Sequence, residues 1–500
     1  MFFLKILENV IPYFICIPIL FGVLIFMFEK NQKICMTLNA LTPIFGIVFS
    51  FIAMNHFRKY DITDIFYNIG NYNNIIGIRL KLDVFSALGL FFVNLLHTIN
   101  TILQNFRIAR DVDSIKIGLI NIMIGGLSGM ILSDDFFNLY VFIEIVSIVS
   151  YILSISKWNK RSYHVALEYL IIGSVASCLI LFGIGFVYAN FGTLNMSKTA
   201  DLIMDASSYG DLVVYSVIFI IIGLLIKTGL YPFHTWYIRL FKNITPSVMC
   251  LFSYASSQVV ILVIVKLIYS IFSVQLITSS LQYLISIMSA LAIISILYGS
   301  YKAIVVKSMV EVLVWSSISQ VGYLIIGLIS DNEVVVSGCL MQIFANAISK
   351  VLIFRIYQKM ISAVNSSNLI DVNFIGRFDF SGIRMPLVII LINLAGLPMA
   401  IGFMAKIYMI VGFVSEGRIG SFMAIIVSSI LSVIYTFRII EGVIIGNKPG
   451  VKSEIQFYKI PTSSGERFTY TLISIILIFI PFVKPVNNYF KMTTNYILKV

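Results

Sequence analysis

The sequence predicts an all-α polytopic membrane protein of about fourteen transmembrane helices, and three observations support this prediction. The chain is 59% apolar and only 12% charged, whereas a soluble domain is nearer half apolar and a quarter charged. Its mean hydropathy is +0.97. Apolar runs of roughly 18 or more residues recur from end to end, each long enough to cross about 30 Å of hydrocarbon. Because the runs are continuous rather than alternating, helices and not a β-barrel satisfy the backbone.

The apolar runs are numbered here as spans 1 to 14 in chain order. Span 1 follows Lys5 and has no small-residue cleavage site, so we expect a retained helix rather than a removed signal peptide. Two longer and more polar connections lie near 56–81 and 360–385, and neither resembles a soluble domain. The predicted spans are 10–28, 34–54, 82–104, 114–132, 136–155, 166–190, 212–231, 247–270, 277–297, 308–329, 336–358, 386–411, 420–440 and 468–485.

Lys and Arg are distributed unevenly between the two sets of loops. Loops after even-numbered spans are poor in these residues apart from Arg58, Lys59, Arg79 and Lys81. By the positive-inside rule, the richer odd-numbered loops are cytoplasmic and both termini lie outside the cytoplasm of a multi-pass protein of the cell (inner) membrane. The residues of the odd-numbered loops are Lys30, Lys33, Arg107, Arg110, Lys116, Lys157, Lys160, Arg161, Arg239, Lys242, Lys302, Lys307, Lys448, Lys452 and Lys459.

Composition and motifs argue against several classes of function. The net charge of +12 is spread over short loops and is not gathered into a face or tail, so no nucleic-acid partner is expected. The five cysteines are far apart and form no CxxC or Cys/His cluster, so neither a metal centre nor a disulfide framework is indicated. Four histidines without a paired pattern disfavour a haem or quinone redox enzyme acting alone. A Walker A sequence is absent, which disfavours ATP-driven transport.

Four of the charged residues inside predicted spans stand out, because a charge within a span costs at least about 2.5–3.5 kcal/mol and normally has a purpose. Glu144 lies near the middle of span 5 and Lys227 late in span 7. Lys350 lies inside span 11 and Lys406 late in span 12. Snorkelling to the membrane surface explains a lysine near the end of a span, but it does not explain Glu144, which is short and lies near the middle of its span. These four residues are therefore the candidates for proton or ion translocation.

Gly and Pro stand close to two of these lysines. Lys227 is followed by Gly229 and Pro232, and Lys406 is preceded by Gly396 and Pro398. Such residues interrupt a helix, which is tolerated in a membrane where the gap lines a polar cavity. The two interruptions are five spans apart, which predicts two inverted five-helix repeats with broken helices 7 and 12. We therefore divide the chain into spans 1–3 (1–110), a first repeat of spans 4–8 (111–272), a second repeat of spans 9–13 (273–442), and span 14 with the tail (443–500).

The pair formed by Glu144 and Lys227 suggests a proton relay that needs no cofactor. Burial favours the neutral form of a lysine, and a neighbouring carboxylate favours its charged form. If Glu144 approaches and leaves Lys227, the lysine takes up and releases a proton. A purely structural interpretation also stays open. Lys406 can snorkel from the end of its span, and Lys350 together with Arg355 can mark a basic helix end. His234, which follows the break in span 7, is a further candidate that can instead be a polar packing residue.

At these residues the chain resembles the antiporter-like subunits shared by proton-pumping NADH:quinone oxidoreductase (complex I) and Mrp-type multisubunit Na+/H+ antiporters. The resemblance runs from about Asp83 to Arg438. DDFFNLYVFIEIVSIVSY is similar to the family's fifth helix and places Glu144 at its essential glutamate. KTGLYPFHTW is similar to the broken seventh helix, which gives Lys227 the role of its lysine and Pro232 that of its break.

Further motifs extend the resemblance. WSSISQVGY (Trp315–Tyr323) is similar to the tyrosine–serine–serine stretch of the tenth helix, and GLPMAIGFMAK to the broken twelfth helix with Lys406 as its terminal charge. FNLYVF and YANFGTLNM (Tyr188–Met196) are most similar to the D subunit of the Mrp antiporter. The resemblance implies a membrane subunit that moves H+ and Na+ or K+, with other membrane subunits and the lipid bilayer as partners.

The chain departs from the family pattern at three places. The eighth helix usually carries a Lys or His midway, but between Pro246 and Lys266 this chain offers only Ser253, Ser256, Ser257 and Gln258. Asn346 stands near the family's eleventh-helix histidine, and Glu311 stands where a basic residue usually opens the tenth helix. Ser257 and Asn346 are thus expected to be uncharged polar neighbours of the path. These departures leave three hypotheses open: a protein like the antiporter's D subunit, a proton-pumping subunit of a redox complex, and a structural paralogue that has lost transport.

Overall fold

The computed structural model describes residues 7–60, 64–71, 77–105, 113–155, 160–204, 211–255, 257–272, 282–364, 370–445 and 458–499. Thirteen helices in these segments are long and apolar enough to cross a membrane, and two shorter apolar helices, Arg384–Ala395 and Ile401–Ser415, together form span 12. The all-α polytopic fold with about fourteen spans is therefore confirmed. Spans 1 to 11, 13 and 14 are Leu7–Met27, Gln32–Tyr60, Val84–Gln104, Ser114–Leu132, Phe136–Ser154, Lys160–Phe191, Asp211–Thr228, Pro246–Ser270, Gln282–Val305, Met309–Leu328, Glu333–Val364, Ile419–Ile444 and Ser464–Phe482.

The chain packs as two compact units. Unit 1 consists of Met1–Thr228, Tyr254–Ile287 and Met492–Val500, and unit 2 consists of Gly229–Ser253 and Met288–Lys491. In unit 1, spans 6 and 7 pack along each other, as do spans 1 and 4; in unit 2, the second half of span 12 packs along span 11. The division into two inverted five-helix repeats stays a prediction.

Span 7 and span 12 are both interrupted, as the Gly and Pro residues predict. Span 7 ends at Thr228, Gly229 has a φ of 74°, and a short helix, Thr235–Asn243, resumes after the break. The apolar residues of this short helix lie on one side, as in helices that lie along the membrane–water interface. In span 12, the left-handed Gly396 (φ 72°) ends the first helix. Because L side chains with a Cβ disfavour that conformation, glycine makes this stop inexpensive.

Span 8 contains a third interruption, which the sequence analysis did not predict. The described helices of this span are Pro246–Ala255 and Gln258–Ser270. Ser257 is a turn residue, and Ser256 lies outside the described residues. Neither Gly nor Pro stands between these two helices, so the usual signal for a break is missing.

Strands and a terminal helix lie outside the spans. A β-hairpin precedes span 3, in which Asp64–Asn68 (β1) pairs antiparallel with Arg79–Asp83 (β2) so that Asp64 stands opposite Asp83. Two short strands, Phe378–Asp379 (β3) and Tyr458–Lys459 (β4), pair in parallel. A C-terminal helix, Lys484–Lys499, follows span 14. The predicted orientation stays a prediction, and Arg107, Arg110, Lys157, Lys448 and Lys452, on which it partly depends, lie outside the described residues.

A buried ion pair joins span 11 to the start of span 14. The Nζ of Lys359 lies 2.5 Å from Oε2 of Glu466 and donates to the carbonyl of Pro461 at 3.0 Å. Glu466 also completes a capping box, because its side chain accepts from the N–H of Ser463 and its own N–H donates to the Ser463 hydroxyl. The carboxylate thus satisfies a buried cation and a helix N-terminus together.

We expect Glu466→Ala to destabilise the protein by about 3–5 kcal/mol, because the substitution leaves the Lys359 ammonium buried without its counter-charge. Thermal unfolding of the detergent-purified protein measures this loss. Glu441→Ala removes an exposed glutamate of span 13 and serves as the control, with an expected change within about 0.5 kcal/mol. Equal melting temperatures for the two variants would contradict the importance of this pair.

Candidate functional site

In unit 1, the structure brings Glu144 and Lys227 close together but does not pair them directly. The Nζ of Lys227 donates to the hydroxyl of Ser147 at 2.8 Å. Ser147 lies three residues after Glu144, on the same face of span 5, and its hydroxyl donates to the carbonyl of Ile143 at 2.7 Å. The charge of Glu144 acts on Lys227, and the Oε1 of Glu144 is buried with no hydrogen-bond partner among the described residues.

This arrangement fits a lysine that is not locked to its carboxylate. In the described part of the chain, no carboxylate oxygen lies within 4.0 Å of the Lys227 ammonium. The hydroxyl of Ser147 holds the ammonium in place, one helical turn from Glu144. Both charged residues are evident from the sequence, whereas Ser147 is marked there only by its spacing of three residues from Glu144 on one helix.

In unit 2, Lys350 lies in the middle of span 11 and is fully buried. Its Nζ donates to the hydroxyl of Ser317 at 2.6 Å and to the side-chain oxygen of Gln320. Both partners belong to the WSSISQVGY segment of span 10, which the sequence analysis singled out. Lys350 is thus not a solvated basic helix end, because it is buried and no carboxylate of the described residues lies within ion-pair distance.

Asn346 lies one turn before Lys350 and extends the polar surroundings of this lysine. Its Oδ1 accepts from Nε2 of Gln342 at 3.0 Å. The Nδ2 of Asn346 and the Oε1 of Gln342 are buried with no hydrogen-bond partner among the described residues. A free donor and a free acceptor beside Lys350 provide polar surroundings without a second titratable group.

Lys406 lies on the second helix of span 12 and points back to the break. Its Nζ donates to the carbonyl of Ala395 at 2.8 Å and to the hydroxyl of Ser432 at 3.2 Å. It also lies 5.6 Å from the ring centre of Tyr323, over the face of the ring. Ala395 is the last residue of the first helix, so the ammonium satisfies a carbonyl left free by the interruption. Lys406 is only 5% exposed, which argues against snorkelling.

Asn393 stabilises this break and was missed by sequence reasoning. Its amide donates to the hydroxyl of Ser349 at 2.7 Å and to the carbonyl of Ala345 at 3.1 Å, both on span 11. Its Oδ1 accepts from the N–H of Gly402 at 2.9 Å, in the first turn of the second helix. One buried amide therefore holds both sides of the interruption to span 11, next to Lys350. Pro398 lies exposed within the break itself.

The break after span 7 places Pro232 and His234 in unit 2. The bond between Tyr231 and Pro232 is cis. The ring of His234 stacks on Tyr231 at 5.2 Å between ring centres and lies 5.2 Å from Trp315. Its Nδ1 is buried with no hydrogen-bond partner among the described residues. His234 thus lies among aromatic rings, and its role stays a prediction.

The structure shows the contacts of the residues at two departures from the family pattern. Glu311, at the start of span 10, lies 3.0 Å from Nζ of Lys242 on the helix that follows the span 7 break. Ser257 and Gln258 lie at the span 8 break and are buried, and their side-chain polar atoms have no hydrogen-bond partner among the described residues. These atoms make the interruption polar where relatives are expected to carry a charge.

Lys266 is a further buried lysine of unit 1 that sequence reasoning passed over. It lies on the second helix of span 8 and is 5% exposed. Its Nζ donates to the carbonyls of Ile131 and Ser133 at 2.9 and 2.5 Å, at the end of span 4. A search of every charge inside predicted span 8 (247–270) finds Lys266 from sequence alone.

Five lysines, four of them buried and Lys227 partly buried, fall into two groups by their partners. Lys227, Lys266, Lys350 and Lys406 donate to hydroxyl, amide or backbone oxygens, which are all neutral. Lys359, by contrast, pairs with a carboxylate. Among the described residues, no group of three or more His, Cys, Asp or Glu side chains is arranged to hold a metal ion.

The comparisons with known proteins agree with the resemblance that the sequence motifs indicate. Residues 133–434, more than half of the chain, match the family described as NADH:quinone oxidoreductase/Mrp antiporter, transmembrane. The NADH-quinone oxidoreductase subunit N of Desulforudis audaxviator (strain MP104C) is 32% identical over 341 residues, which cover 66% of this chain and 65% of that relative. The chain therefore spans slightly less than two thirds of its length. The D subunit of the Na(+)/H(+) antiporter of Bacillus subtilis (strain 168) is 24% identical over 437 residues, 87% of this chain and 86% of that relative.

Two solved structures share the fold. A chain of the Mrp complex from Dietzia sp. DQ12-45-1b superposes with a TM-score of 0.85 at 17% identity, covering 98% of each chain. A chain of the membrane-bound sulfane sulfur reductase, an archaeal respiratory membrane complex, superposes with a TM-score of 0.84 at 20% identity, covering 98% of this chain and 97% of the other. At these identities the likeness establishes the fold.

Gly396→Ala is expected to damage the Lys406 site. A Cβ at this position would lie 2.8 Å from Cδ and 2.9 Å from Nζ of Lys406, in addition to the roughly 1–2 kcal/mol backbone cost of an L residue in the left-handed region. Gly417→Ala is the matched control, since Gly417 has a φ of 71° and open space around it. Thermal unfolding should show a clearly larger loss for Gly396→Ala, and equal losses would refute the predicted clash.

Proposed function

The chain belongs to the NADH:quinone oxidoreductase/Mrp antiporter family of membrane proteins, and on this premise we propose that it is a proton- and monovalent-cation-translocating subunit of a multisubunit membrane complex. One observation carries the proposal: Lys227 and Lys406 lie at two interrupted spans, and each donates to neutral oxygens. A buried charge inside a span normally indicates a transport pathway.

The neutral partners give these lysines a suitable chemistry. An ammonium that donates to a hydroxyl or carbonyl can lose its proton without breaking an ion pair. Glu144 is not hydrogen-bonded to Lys227 and acts on it only through its charge. A movement of the Glu144 side chain would therefore change the free energy of the charged form of Lys227 by a moderate amount. Lys350, held by Ser317 and Gln320, is the corresponding group in the middle of unit 2.

Among the members of this family, we propose that the chain functions like the D subunit of a Na+(K+)/H+ antiporter. The match with the Bacillus subtilis D subunit covers 86% of that relative, and the FNLYVF and Tyr188–Met196 segments favour the same assignment. The second candidate is a proton-pumping subunit of a redox complex, which the 32% identity to an NADH-quinone oxidoreductase subunit N favours. A structural paralogue without transport is the third, favoured by the uncharged polar residues at the span 8 break.

We further propose that other membrane subunits of the same complex surround this chain in the cell (inner) membrane, and that both termini lie outside the cytoplasm. The Mrp and respiratory complexes that share the fold are assemblies of several chains. A reporter fused after Val500 that is active only outside the cytoplasm tests the orientation, and activity of a cytoplasm-specific reporter would reverse it.

Lys227→Ala is expected to lower proton flux by about a hundredfold or more in vesicles that contain the whole complex, because the alanine side chain has no group that can bind the proton. Flux is measured per assembled complex. The control is Lys198→Ala, which removes an exposed lysine of unit 1. Unchanged flux in Lys227→Ala vesicles would exclude the transport function, whereas lost flux with intact assembly supports it.

The driving force separates the two transport candidates. For an antiporter subunit, an imposed Na+ or K+ gradient should drive proton movement in these vesicles without any electron donor. Proton movement that requires an electron donor and ignores the cation gradient would instead assign the chain to a redox pump. Lys227→Ala should abolish the movement in either case, because the same lysine carries the proton.

A further inference from the structure

The amide of Asn393 makes three hydrogen bonds from the interior of span 12. The residue is 1% exposed and stands in the last turn of the first helix of that span. Its nitrogen donates to span 11, to the hydroxyl of Ser349 at 2.7 Å and to the carbonyl of Ala345 at 3.1 Å. Its Oδ1 accepts from the N–H of Gly402 at 2.9 Å, in the first turn of the second helix. One uncharged side chain therefore joins three helices.

The hydrogen bond of Lys406 spans the same break that this amide joins. The acceptor, the carbonyl of Ala395, belongs to the first helix, two residues after Asn393. The donor, Lys406, belongs to the second helix, four residues after Gly402 and so about one turn along the same face. The contact between Asn393 and Gly402 therefore sets how far the Lys406 ammonium lies from its acceptor.

Two hydrogen bonds join the two helices of span 12 directly among the described residues. One runs from Gly402 to Asn393 and the other from Lys406 to Ala395. The bond from Lys406 is strengthened by the charge of the ammonium, so it weakens when the lysine becomes neutral. The bond from Gly402 joins a backbone N–H to a carboxamide, and neither group titrates. Only the Asn393 contact therefore keeps its strength when Lys406 changes its protonation state.

The acceptor of Lys406 is shared, which makes the position of the ammonium important. The carbonyl of Ala395 accepts from the hydroxyl of Ser432 at 2.8 Å as well as from Lys406 at 2.8 Å. If the second helix moved away, Ser432 would still satisfy this carbonyl, and the structure would have little reason to return Lys406 to it. Gly402 permits the close approach, because a Cβ there would collide with the carbonyl oxygen of Asn393.

We propose that Asn393 is a positioning residue for Lys406, which holds the two helices of span 12 at a fixed separation while Lys406 changes its protonation state. This inference rests on the proposed transport function and adds a residue to it. Asn393 itself exchanges no proton, because a carboxamide stays neutral. Its anchor Ser349 directly precedes Lys350, so the break is also held against the helix that carries the other lysine of unit 2.

Asn393→Leu tests the proposal in vesicles containing the whole complex, since leucine keeps a similar volume and removes all three hydrogen bonds. Proton flux per assembled complex should fall by about tenfold or more, because a small misplacement of a reacting group is costly. The pH of half-maximal flux should also shift by about half a unit or more, because the oxygens that stabilise the ammonium are displaced. Tyr323, the titratable side chain in contact with Lys406 among the described residues, is unchanged in this variant.

The matched control is Asn121→Leu, at a buried asparagine of unit 1 that also joins two spans. Asn121 accepts from the hydroxyl of Thr42 at 2.7 Å and donates to Oδ1 of Asn39 at 2.9 Å. Its loss should leave flux per assembled complex and the pH dependence normal. A milder variant, Ser349→Ala, removes one of the two acceptors on span 11, so flux should fall by about threefold with a smaller shift in pH.

Every outcome decides the proposal. Normal flux in Asn393→Leu overturns it, and so does reduced flux with an unchanged pH dependence, because the amide would then only support the fold. If Asn393→Leu does not assemble, Ser349→Ala decides by the same two measurements, and failure of both variants to assemble overturns the proposal. Lys227→Ala is measured in parallel. Full flux in that variant refutes the transport function, whereas lost flux there with normal flux in Asn393→Leu refutes only the positioning role.

Discussion

A helix that ends within apolar surroundings leaves carbonyl oxygens without hydrogen-bond partners, and this constraint organises the buried charges of the protein. Each unmatched carbonyl costs several kcal/mol in hydrocarbon. At the span 12 break, Lys406 donates to the carbonyl of Ala395. At the end of span 4, Lys266 donates to the carbonyls of Ile131 and Ser133. The ammonium groups and the helix ends thus satisfy each other, since a cation is also favoured at the negative end of a helix dipole.

The choice of neutral partners has a functional consequence. A lysine paired with a carboxylate, such as Lys359 with Glu466, is held in its charged form because either partner alone would be a buried, unpaired charge. A lysine bonded to a hydroxyl or a carbonyl has no such penalty when it becomes neutral. Lys227 on Ser147 and Lys350 on Ser317 and Gln320 belong to this second type. The structure therefore separates lysines held by neutral oxygens, for which we propose proton transfer, from one that is paired with a carboxylate.

The interruptions also require side chains that hold the two helix halves in place. At span 12, the amide of Asn393 donates to span 11 and accepts from Gly402, so the break is fixed relative to the helix that carries Lys350. Gly396 provides both the left-handed turn and the space that the Lys406 side chain occupies. Span 8 uses a different solution, in which Ser257 and Gln258 leave polar atoms unpaired at the break. Uncharged polar side chains thus stand where the family pattern has a titratable residue.

The sequence alone predicted about fourteen spans, the breaks in spans 7 and 12, and the location of Glu144, Lys227, Lys350 and Lys406 inside spans. These properties are local: hydropathy identifies a span, Gly and Pro mark an interruption, and a charge inside an apolar run identifies itself by its cost. Tertiary structure alone decided the partner of each lysine, the break in span 8 and the juxtaposition of Tyr496 with Asp64 and Asp83. Those features depend on contacts between residues far apart in the chain, and a serine, an asparagine or a tyrosine has no sequence pattern that reveals which distant group it will meet.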